Sequence, residues 1–453
     1  MKKYILIILC CLTSFPLWSY NVNMIVEHYS VDQGLPNNTV NCTLKDRDGF
    51  IWFGTWYGLC CFDGVKFKTF NKQEHDSDVP PRKIQRIVED KNGYIWVKTI
   101  DRKLYVFNKV TECFHAVYDD MKNYSENIQV IKLQNTAEGD VLLLTKDKNL
   151  LLAGVDEKGQ VTIKILFDSR DEINKHDYTL KHHVLCETEE YISWIGTDYK
   201  VSAVHKGAEL ASRPADFITS KINSGDKDSF TSFFEDGRKV WVGDRAGIFY
   251  SIDVRTGLVN RYVLSEIKGA ISNLLVTPAG YVYLSVAGQG TYEYDLAERR
   301  LQKINTEMND AMVTHAFIDQ YDKIWFHENE KALIYYDPLN HTAKRFPFTM
   351  FGKITTLYSE DAGERGLFFL SPAGEAWLFD REHAEMVYIN KLKQLSNDRA
   401  NQQFYHLMLD NDGVLWLSSA DEGVYCMNFP KKQFNLLSLS PQSAGQENYT
   451  IGV

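Results

Sequence analysis

The sequence has little proline and no long run of charges of one sign. It contains 11 prolines among 453 residues, and its 60 acidic residues outnumber its 50 basic ones, so the formal net charge is −10. Nucleic-acid binding needs a concentrated positive surface, so this balance argues against a nucleic-acid partner. Scarce proline together with 13% aromatic residues favours β-strands, in which aromatic side chains pack well.

Long apolar runs are absent after the first twenty residues, because no later segment reaches the ~18 apolar residues that span a bilayer. At the start, Lys2 and Lys3 precede the short apolar stretch YILIILCCLTSFPLW, and Ser19 offers a cleavage point. This order is typical of an export signal, so residues 1–20 are predicted to be a signal peptide. A lipid anchor on Cys10 or Cys11, or an uncleaved anchor, stays open as an alternative.

Cysteine pairs with metal-binding spacing are also missing. Six cysteines follow the predicted signal peptide: Cys42, Cys60, Cys61, Cys113, Cys186 and Cys426. They form no CxxC pair and no zinc pattern. Most lie within apolar strand patterns, which predicts buried free thiols, with disulfide pairing in an oxidising compartment as the alternative.

No motif for a metal, a cofactor or catalysis is present. The segments DRDG at Asp46 and DNDG at Asp410 resemble the start of a calcium loop but lack its later ligands, so they are interpreted as hairpin turns capped by Asp. His182 and His183 are adjacent, so on a strand they would point to opposite faces. Neither a nucleophile elbow nor a placed pair of carboxylates occurs. We therefore predict no metal site, no cofactor and no catalytic residue.

One pattern recurs throughout the chain: a turn, one or two apolar residues, then an aromatic residue. Its best copies are DRDGFIWFGT from Asp46, DKNGYIWVKT from Asp90 and DNDGVLWLSS from Asp410. The equivalent positions are Trp52, Trp96, Leu142, Trp194, Trp241, Tyr283, Trp325, Phe368 and Trp416. The chain thus holds about nine repeats of roughly 45 residues.

Each repeat contains four short segments with strand character, separated by turns rich in Asp, Asn and Gly. Four antiparallel strands in roughly 45 residues are the unit of a β-propeller blade. Because one such sheet cannot bury its own apolar residues, the sheets are expected to stack around an axis. We therefore predict an all-β chain whose residues 21–440 form a β-propeller, and we expect the repeated aromatic residues to be core.

The segments YSVDQGLPNNTVNCTLKDRDGFIWFGTWYGLCCFDGVKF from Tyr29 and DNDGVLWLSSADEGVYCMNFPKKQF from Asp410 resemble the regulator-propeller repeats of hybrid two-component sensors. In that family, two periplasmic propellers precede a membrane helix and a histidine kinase. The resemblance implies a periplasmic domain that senses products of polysaccharide breakdown. The sequence contains no kinase motif and ends at Val453, so residues 441–453 are expected to begin a missing following segment.

The blade number and the closure of the ring stay open. The family implies seven blades, whereas nine repeats allow seven to nine. Two segments compete for the outer strand of the last blade: MIVEHYS near Met24 and KKQFNLLSLS from Lys431.

Candidate ligand-binding residues lie in the turns between the second and third strands, at the end where long crossovers meet the mouth of the channel. They are Trp56, Tyr57, Asp101, Arg102, Asp198, Tyr199, Arg245, Gln289, Glu328 and Asp421. Only the first copy has aromatic residues at both of the positions held by Trp56 and Tyr57, and exposed aromatic rings suit stacking on sugars. A polar, partly aromatic mouth is appropriate for an oligosaccharide.

The function predicted from the sequence is ligand sensing rather than catalysis. The expected partners are an oligosaccharide and, through the missing C-terminal part, a second propeller or another copy of the chain. The membrane would be reached only through that missing part. A protein-interaction propeller and a carbohydrate-active propeller enzyme are the alternatives, because the same fold serves all three.

Overall fold

The computed structural model describes residues 25–70, 80–121, 129–147, 149–167, 180–196, 201–207, 217–220, 230–304, 313–328, 331–351, 358–361, 366–371, 375–391 and 404–428. The predicted signal peptide, residues 441–453 and the strand candidate from Lys431 lie outside these ranges. Of the helices in the described residues, none has both the length and the apolar character that crossing a membrane requires.

The described residues are almost entirely β-strand. One short helix, α1, spans Tyr118–Met121, and 3-10 turns span Val31–Gln33 and Phe348–Phe351. The strands are β1 Ile25–Tyr29, β2 Val40–Lys45, β3 Ile51–Thr55, β4 Gly58–Phe62, β5 Phe67–Phe70, β6 Ile84–Glu89, β7 Ile95–Thr99, β8 Leu104–Asn108, β9 Cys113–Ala116, β10 Val130–Asn135, β11 Val141–Thr145, β12 Leu150–Val155, β13 Val161–Phe167, β14 Leu180–Glu187, β15 Tyr191–Gly196, β16 Val201–His205, β17 Phe217–Ser220, β18 Phe230–Glu235, β19 Lys239–Asp244, β20 Ile248–Asp253, β21 Val259–Val263, β22 Ile271–Val276, β23 Tyr281–Val286, β24 Gly290–Asp295, β25 Arg300–Lys303, β26 Val313–Ile318, β27 Ile324–Glu328, β28 Ala332–Asp337, β29 Thr342–Pro347, β30 Tyr358–Asp361, β31 Leu367–Leu370, β32 Glu375–Asp380, β33 Glu385–Lys391, β34 Phe404–Leu409, β35 Leu415–Ser419 and β36 Val424–Asn428.

These strands form nine four-stranded antiparallel sheets, which confirms the predicted all-β propeller. Blades 1 to 8 are consecutive groups of four strands from β2 to β33, and blade 9 consists of β34, β35, β36 and β1. First strands of neighbouring blades contact one another, as β2 does with both β6 and β34, so the first strands line the axis. We call the end with the first-to-second and third-to-fourth turns the Asp-turn end, and the opposite end the crossover end.

Apolar side chains are buried between the blades rather than within them. The buried residues of the described chain fall into nine groups, and each group is shared by two consecutive blades. The last group packs Phe53 and Phe62 of blade 1 against Trp416 of blade 9, so the series of interfaces returns to its start. The nine repeats therefore form one closed ring of nine blades rather than the seven that the resemblance implies.

The N-terminal strand closes the ring. β1 pairs with β36 in antiparallel register, with Tyr29 opposite Val424 and Ile25 opposite Asn428. The Tyr29 ring lies 5.0 Å from that of Phe62 and 6.5 Å from that of Trp416, so β1 also joins the interface with blade 1. Of the two strand candidates, the segment near Met24 supplies this outer strand.

The seven predicted core aromatic residues, as well as Leu142 and Phe368, lie on the second strand of their blades, as the repeat predicts. Their side chains are 0 to 5% exposed wherever the structure describes them, and only the side chain of Trp194 lies outside that description. These aromatic residues are therefore packing residues of the blade interfaces.

In five blades, the repeat tryptophan donates its indole N–H to the aspartate of the turn that precedes it. The pairs and distances are Asp46–Trp52 2.8 Å, Asp90–Trp96 2.9 Å, Asp236–Trp241 2.7 Å, Asp319–Trp325 3.2 Å and Asp410–Trp416 3.2 Å. The other carboxylate oxygen accepts from backbone N–H groups of the turn, which confirms the predicted Asp-capped hairpins. One carboxylate thus fixes both a turn and a core side chain.

In two blades, both the repeat tryptophan and the turn aspartate are replaced by other residues. Leu142 and Tyr283 replace tryptophan in blades 3 and 6, and Thr136 and Thr277 stand at the corresponding turn positions. Each threonine hydroxyl still accepts a backbone N–H of its turn, at 3.1 and 3.2 Å. The carboxylate thus accompanies the indole in five blades, whereas blade 4 combines Trp194 with Thr188.

The five cysteines with described side chains are free and buried: Cys42, Cys60, Cys61, Cys113 and Cys426. Burial raises the pKa of the Cys42 and Cys60 thiols to about 12, so they stay protonated at neutral pH. The predicted buried thiols are confirmed for these five, and the side chain of Cys186 lies outside the description.

Replacing Asp90 with asparagine tests the carboxylate–indole link. Asparagine has one acceptor oxygen, so it cannot serve both the Trp96 indole and the turn N–H groups that Asp90 now satisfies. We expect Asp90→Asn to lower the free energy of unfolding by about 1–3 kcal/mol, measured by denaturant titration.

Asp156→Asn is the matched control, since Asp156 caps a partly exposed turn through one oxygen and holds no indole. It should change stability by no more than about 0.5 kcal/mol. Equal losses in the two variants would contradict the role given to the indole.

Gly423→Ala tests closure by the N-terminal strand. A Cβ atom at Gly423 would lie 2.2 Å from the carbonyl oxygen of Tyr29, so alanine must displace β1. Gly64 is the control, because its φ of +93° nearly equals the +91° of Gly423 while nothing lies within 4 Å of its Cβ position. Gly64→Ala should cost about 1–2 kcal/mol through backbone strain alone.

Gly423→Ala should cost more than Gly64→Ala and should make the N-terminal strand sensitive to limited proteolysis. Cleavage at β1 can be followed by mass spectrometry of the native protein. Identical stability and identical protease resistance in the two variants would show that β1 does not close the ring.

Candidate functional site

Backbone hydrogen bonds join the turns and crossovers of blades 1 and 2 at the crossover end. The Trp56 N–H donates to the Thr39 carbonyl at 3.2 Å, and the Lys83 N–H donates to the Trp56 carbonyl at 2.9 Å. The Ile100 N–H in turn donates to the Lys83 carbonyl at 2.9 Å. Trp56, Lys83 and Ile100 therefore lie side by side although they are far apart in the sequence.

Trp56 and Tyr57 occupy the turn between β3 and β4 with exposed rings. The two side chains are 42% and 64% exposed, in contrast to the buried aromatic residues of the repeat. Thr55 sets the turn, because its hydroxyl donates to the Gly58 carbonyl and accepts the Tyr57 N–H. The ammonium of Lys83 lies 5.3 Å from the centre of the Trp56 ring, so a cation covers one side of that indole.

Asp101 and Arg102 occupy the matching turn of blade 2. The Thr99 hydroxyl donates to the Asp101 carboxylate, and the Lys103 ammonium lies 3.4 Å from it. Burial opposes ionisation of Asp101, but these two groups hold its pKa below the ordinary value. Arg102 is exposed and reaches the Gln129 side chain at 3.5 Å. Blades 1 and 2 thus place one cation, Lys83, against the exposed Trp56 ring.

The other candidates are dispersed around the ring rather than gathered in one pocket. Arg245 and Asp421 are exposed in turns of blades 5 and 9. Gln289 binds the neighbouring crossover, because its amide accepts the Lys268 N–H at 2.7 Å and donates to the Glu266 carbonyl at 3.0 Å.

Glu328 differs from the prediction most clearly. Its carboxylate is buried and accepts two hydrogen bonds from Arg345, at 3.0 and 3.1 Å. Sequence position alone could not show this pairing, because the two residues lie on different strands of blade 7. Asp198 and Tyr199 lie outside the described residues.

Lys83 and Ile100 were missed by the sequence analysis. Lys83 directly precedes β6, and Ile100 directly follows β7, so the repeat pattern already places both at the crossover end. Their position beside Trp56 depends on hydrogen bonds between blades 1 and 2. The sequence pattern within one repeat does not show such bonds.

A cluster of acidic groups occurs at the Asp-turn end, where Asp46, Asp48 and Glu89 bring three carboxylates together. The Lys109 ammonium lies among them, at 3.0, 2.7 and 2.8 Å respectively. Burial opposes the charge on Lys109, but the three carboxylates raise its pKa above the ordinary value. A lysine thus supplies the positive charge at this cluster.

One repeat matches a family model. Residues 34–57, which include Trp56 and Tyr57, match the model described as Two component regulator propeller. This match confirms, at that repeat, the resemblance drawn from the sequence. No curated protein matches the sequence significantly.

Solved structures with similar folds include two from B. thetaiotaomicron. The extracellular domain of a putative one component system is 16% identical with a TM-score of 0.38, covering 87% of this chain and 65% of that one. The extracellular domain of a putative hybrid two component system is 14% identical with a TM-score of 0.34, and the match covers 92% of this chain and 61% of that one. The Dos1 propeller is 12% identical with a TM-score of 0.47, and the match covers 89% of this chain and 93% of that one.

The chain therefore spans less than two thirds of the length of either bacterial domain. Because all three TM-scores are below 0.5, the assignment of the fold rests on the nine sheets and their shared interfaces. The chain is an all-β propeller that carries a two component regulator propeller repeat.

Proposed function

We propose that this chain is the extracytoplasmic ligand-sensing module of a hybrid two-component system and that it binds an oligosaccharide. The observation that carries the proposal is the exposed pair Trp56 and Tyr57, which lies within the repeat that matches the regulator-propeller model. A flat exposed ring offers an apolar face to the C–H groups of a sugar, and the polar turns beside it can bind hydroxyl groups.

The proposed module senses and does not catalyse. Its candidate residues are turn side chains with ordinary hydrogen-bond partners, as Asp101 and Gln289 illustrate. Binding becomes a signal only if the ligand favours one of two states of the assembly. The proposed signal therefore also requires output domains. It further requires a second propeller or a second copy of the chain. The N-terminal sequence KKYILIILCC supports export of the domain.

Calorimetric titration of the mature chain with a panel of oligosaccharides tests this proposal. We expect one glycan class to bind and Trp56→Ala to weaken that binding roughly 10-fold or more, through the lost stacking contact. Phe50→Ala is the matched control, because Phe50 is also 42% exposed and belongs to the same blade but lies at the Asp-turn end. It should leave the affinity unchanged.

Three outcomes would overturn the proposal. If no glycan of the panel binds while a purified protein partner does, the propeller serves protein interaction. Cleavage of a glycan by the chain would make it an enzyme. Equal effects of the Trp56 and Phe50 substitutions would remove the binding site from the crossover end.

A further inference from the structure

Cations bridge several neighbouring blades at the Asp-turn end. In three blades, the cation that directly follows the third strand reaches back to a turn acid of the preceding blade. These pairs are Lys109–Asp46, Lys206–Glu138 and Arg381–Asp319. Each cation spans the outer groove between its two blades, so these grooves are closed by an ion pair.

The groove between blades 5 and 6 has no such bridge. The residue that follows β24 is Leu296, which cannot pair with the turn acid Asp236 of blade 5. A cavity of about 570 Å³ lies in this groove. Two smaller cavities, of about 360 and 340 Å³, lie in grooves where the residue after the third strand is Val254 or Asp156. Three grooves that lack the bridging cation thus hold cavities.

The wall of the cavity between blades 5 and 6 is aromatic and well supported. The Tyr262 ring stacks on that of Phe249, with 4.6 Å between centres and 4° between planes. Tyr294 meets Tyr262 edge-on at 6.2 Å, and Trp241 lies behind it at 6.1 Å. Because neighbouring rings hold Tyr262 in place, its surface is preorganised for contact with a ligand.

Three cations line the same cavity: Lys239, Arg261 and Arg299. In residues 230–304, which the structure describes without a gap, no carboxylate oxygen lies within 4.0 Å of the charged nitrogens of Lys239 or Arg299. The nearby Asp253 carboxylate accepts the Arg255 and Thr256 N–H groups of its own turn. Tyr294 and Arg299 both line the cavity. Burial raises the pKa of Tyr294, and the charge of Arg299 opposes that rise.

We propose that this groove is a second binding site, which takes a small organic anion whose ring lies against Tyr262 and Leu296 and whose carboxylate meets Arg299 and Lys239. The volume falls within the range of small-ligand pockets, which is about 300–1,000 Å³. The site lies in the groove between blades 5 and 6, so it is separate from the glycan site proposed at Trp56 in blade 1. An acidic sugar and an aromatic carboxylate share this chemistry, and the experiment distinguishes them.

The test is calorimetric titration of the whole mature chain with glucuronate, 4-hydroxybenzoate, glucose and inorganic phosphate. We expect one of the two ring carboxylates to bind, glucose not to bind, and phosphate to bind at least roughly 10-fold more weakly, since it lacks a ring. Binding should weaken as salt is added, because the contact is between charges. Glucuronate binding would assign the site to acidic sugars, and 4-hydroxybenzoate binding would assign it to aromatic acids.

Arg299→Gln should weaken binding roughly 10-fold or more, because it removes a charge-assisted hydrogen bond. Arg300→Gln is the matched control, since Arg300 is the next residue but lies 3.7 Å from Glu298 and does not line the cavity. It should leave the affinity unchanged, and both variants should keep the unfolding midpoint of the parent chain.

Three results would overturn the proposal. They are the absence of binding by both carboxylates at up to roughly 10 mM, equal binding of phosphate and the ring carboxylates, and equal losses in the Arg299 and Arg300 variants. Because Trp56 does not line this cavity, a negative result for this site would not contradict the glycan site proposed at Trp56.

Discussion

The hydrogen bond between a turn aspartate and a tryptophan indole links the turn to the core in five of the nine blades. The indole fills the space between two sheets, where its N–H has no access to water and would be costly if unpaired. The aspartate that accepts it also holds the hairpin between the first two strands, as Asp90 does for the Tyr94 N–H and the Trp96 indole. Local turn geometry and packing between blades are therefore fixed by the same carboxylate.

Stacking of sheets that cannot bury their own faces also explains why the chain forms a ring. Each blade needs a neighbour on both sides, so a row of blades leaves two uncovered faces unless it closes. β1 completes the last blade, and the group of Phe53, Phe62 and Trp416 covers the final pair of faces. Nine blades result because the sequence supplies nine units and each described interface is shared by two consecutive blades.

The sequence predicts the fold far better than it predicts the site. The repeat located the second strand of all nine blades, including those of Leu142 and Phe368. This was possible because each second strand directly follows its turn in the sequence and recurs at a regular interval. It could not choose between the two closing strands, since pairing of β1 with β36 joins opposite ends of the chain. The burial of Glu328 by Arg345 and the approach of Lys83 to Trp56 likewise depend on contacts between strands or blades. The ion pair of Lys109 with Asp46 likewise joins two blades, so the sequence of one repeat does not show it.

The number of blades in the closed ring is the central claim, and imaging of single particles of the mature chain tests it most directly. Class averages viewed along the axis should show nine radial densities around one channel, with no gap between the last blade and the first. A ring of seven or eight blades with additional mass outside it, or an open arc, would contradict the structure described above.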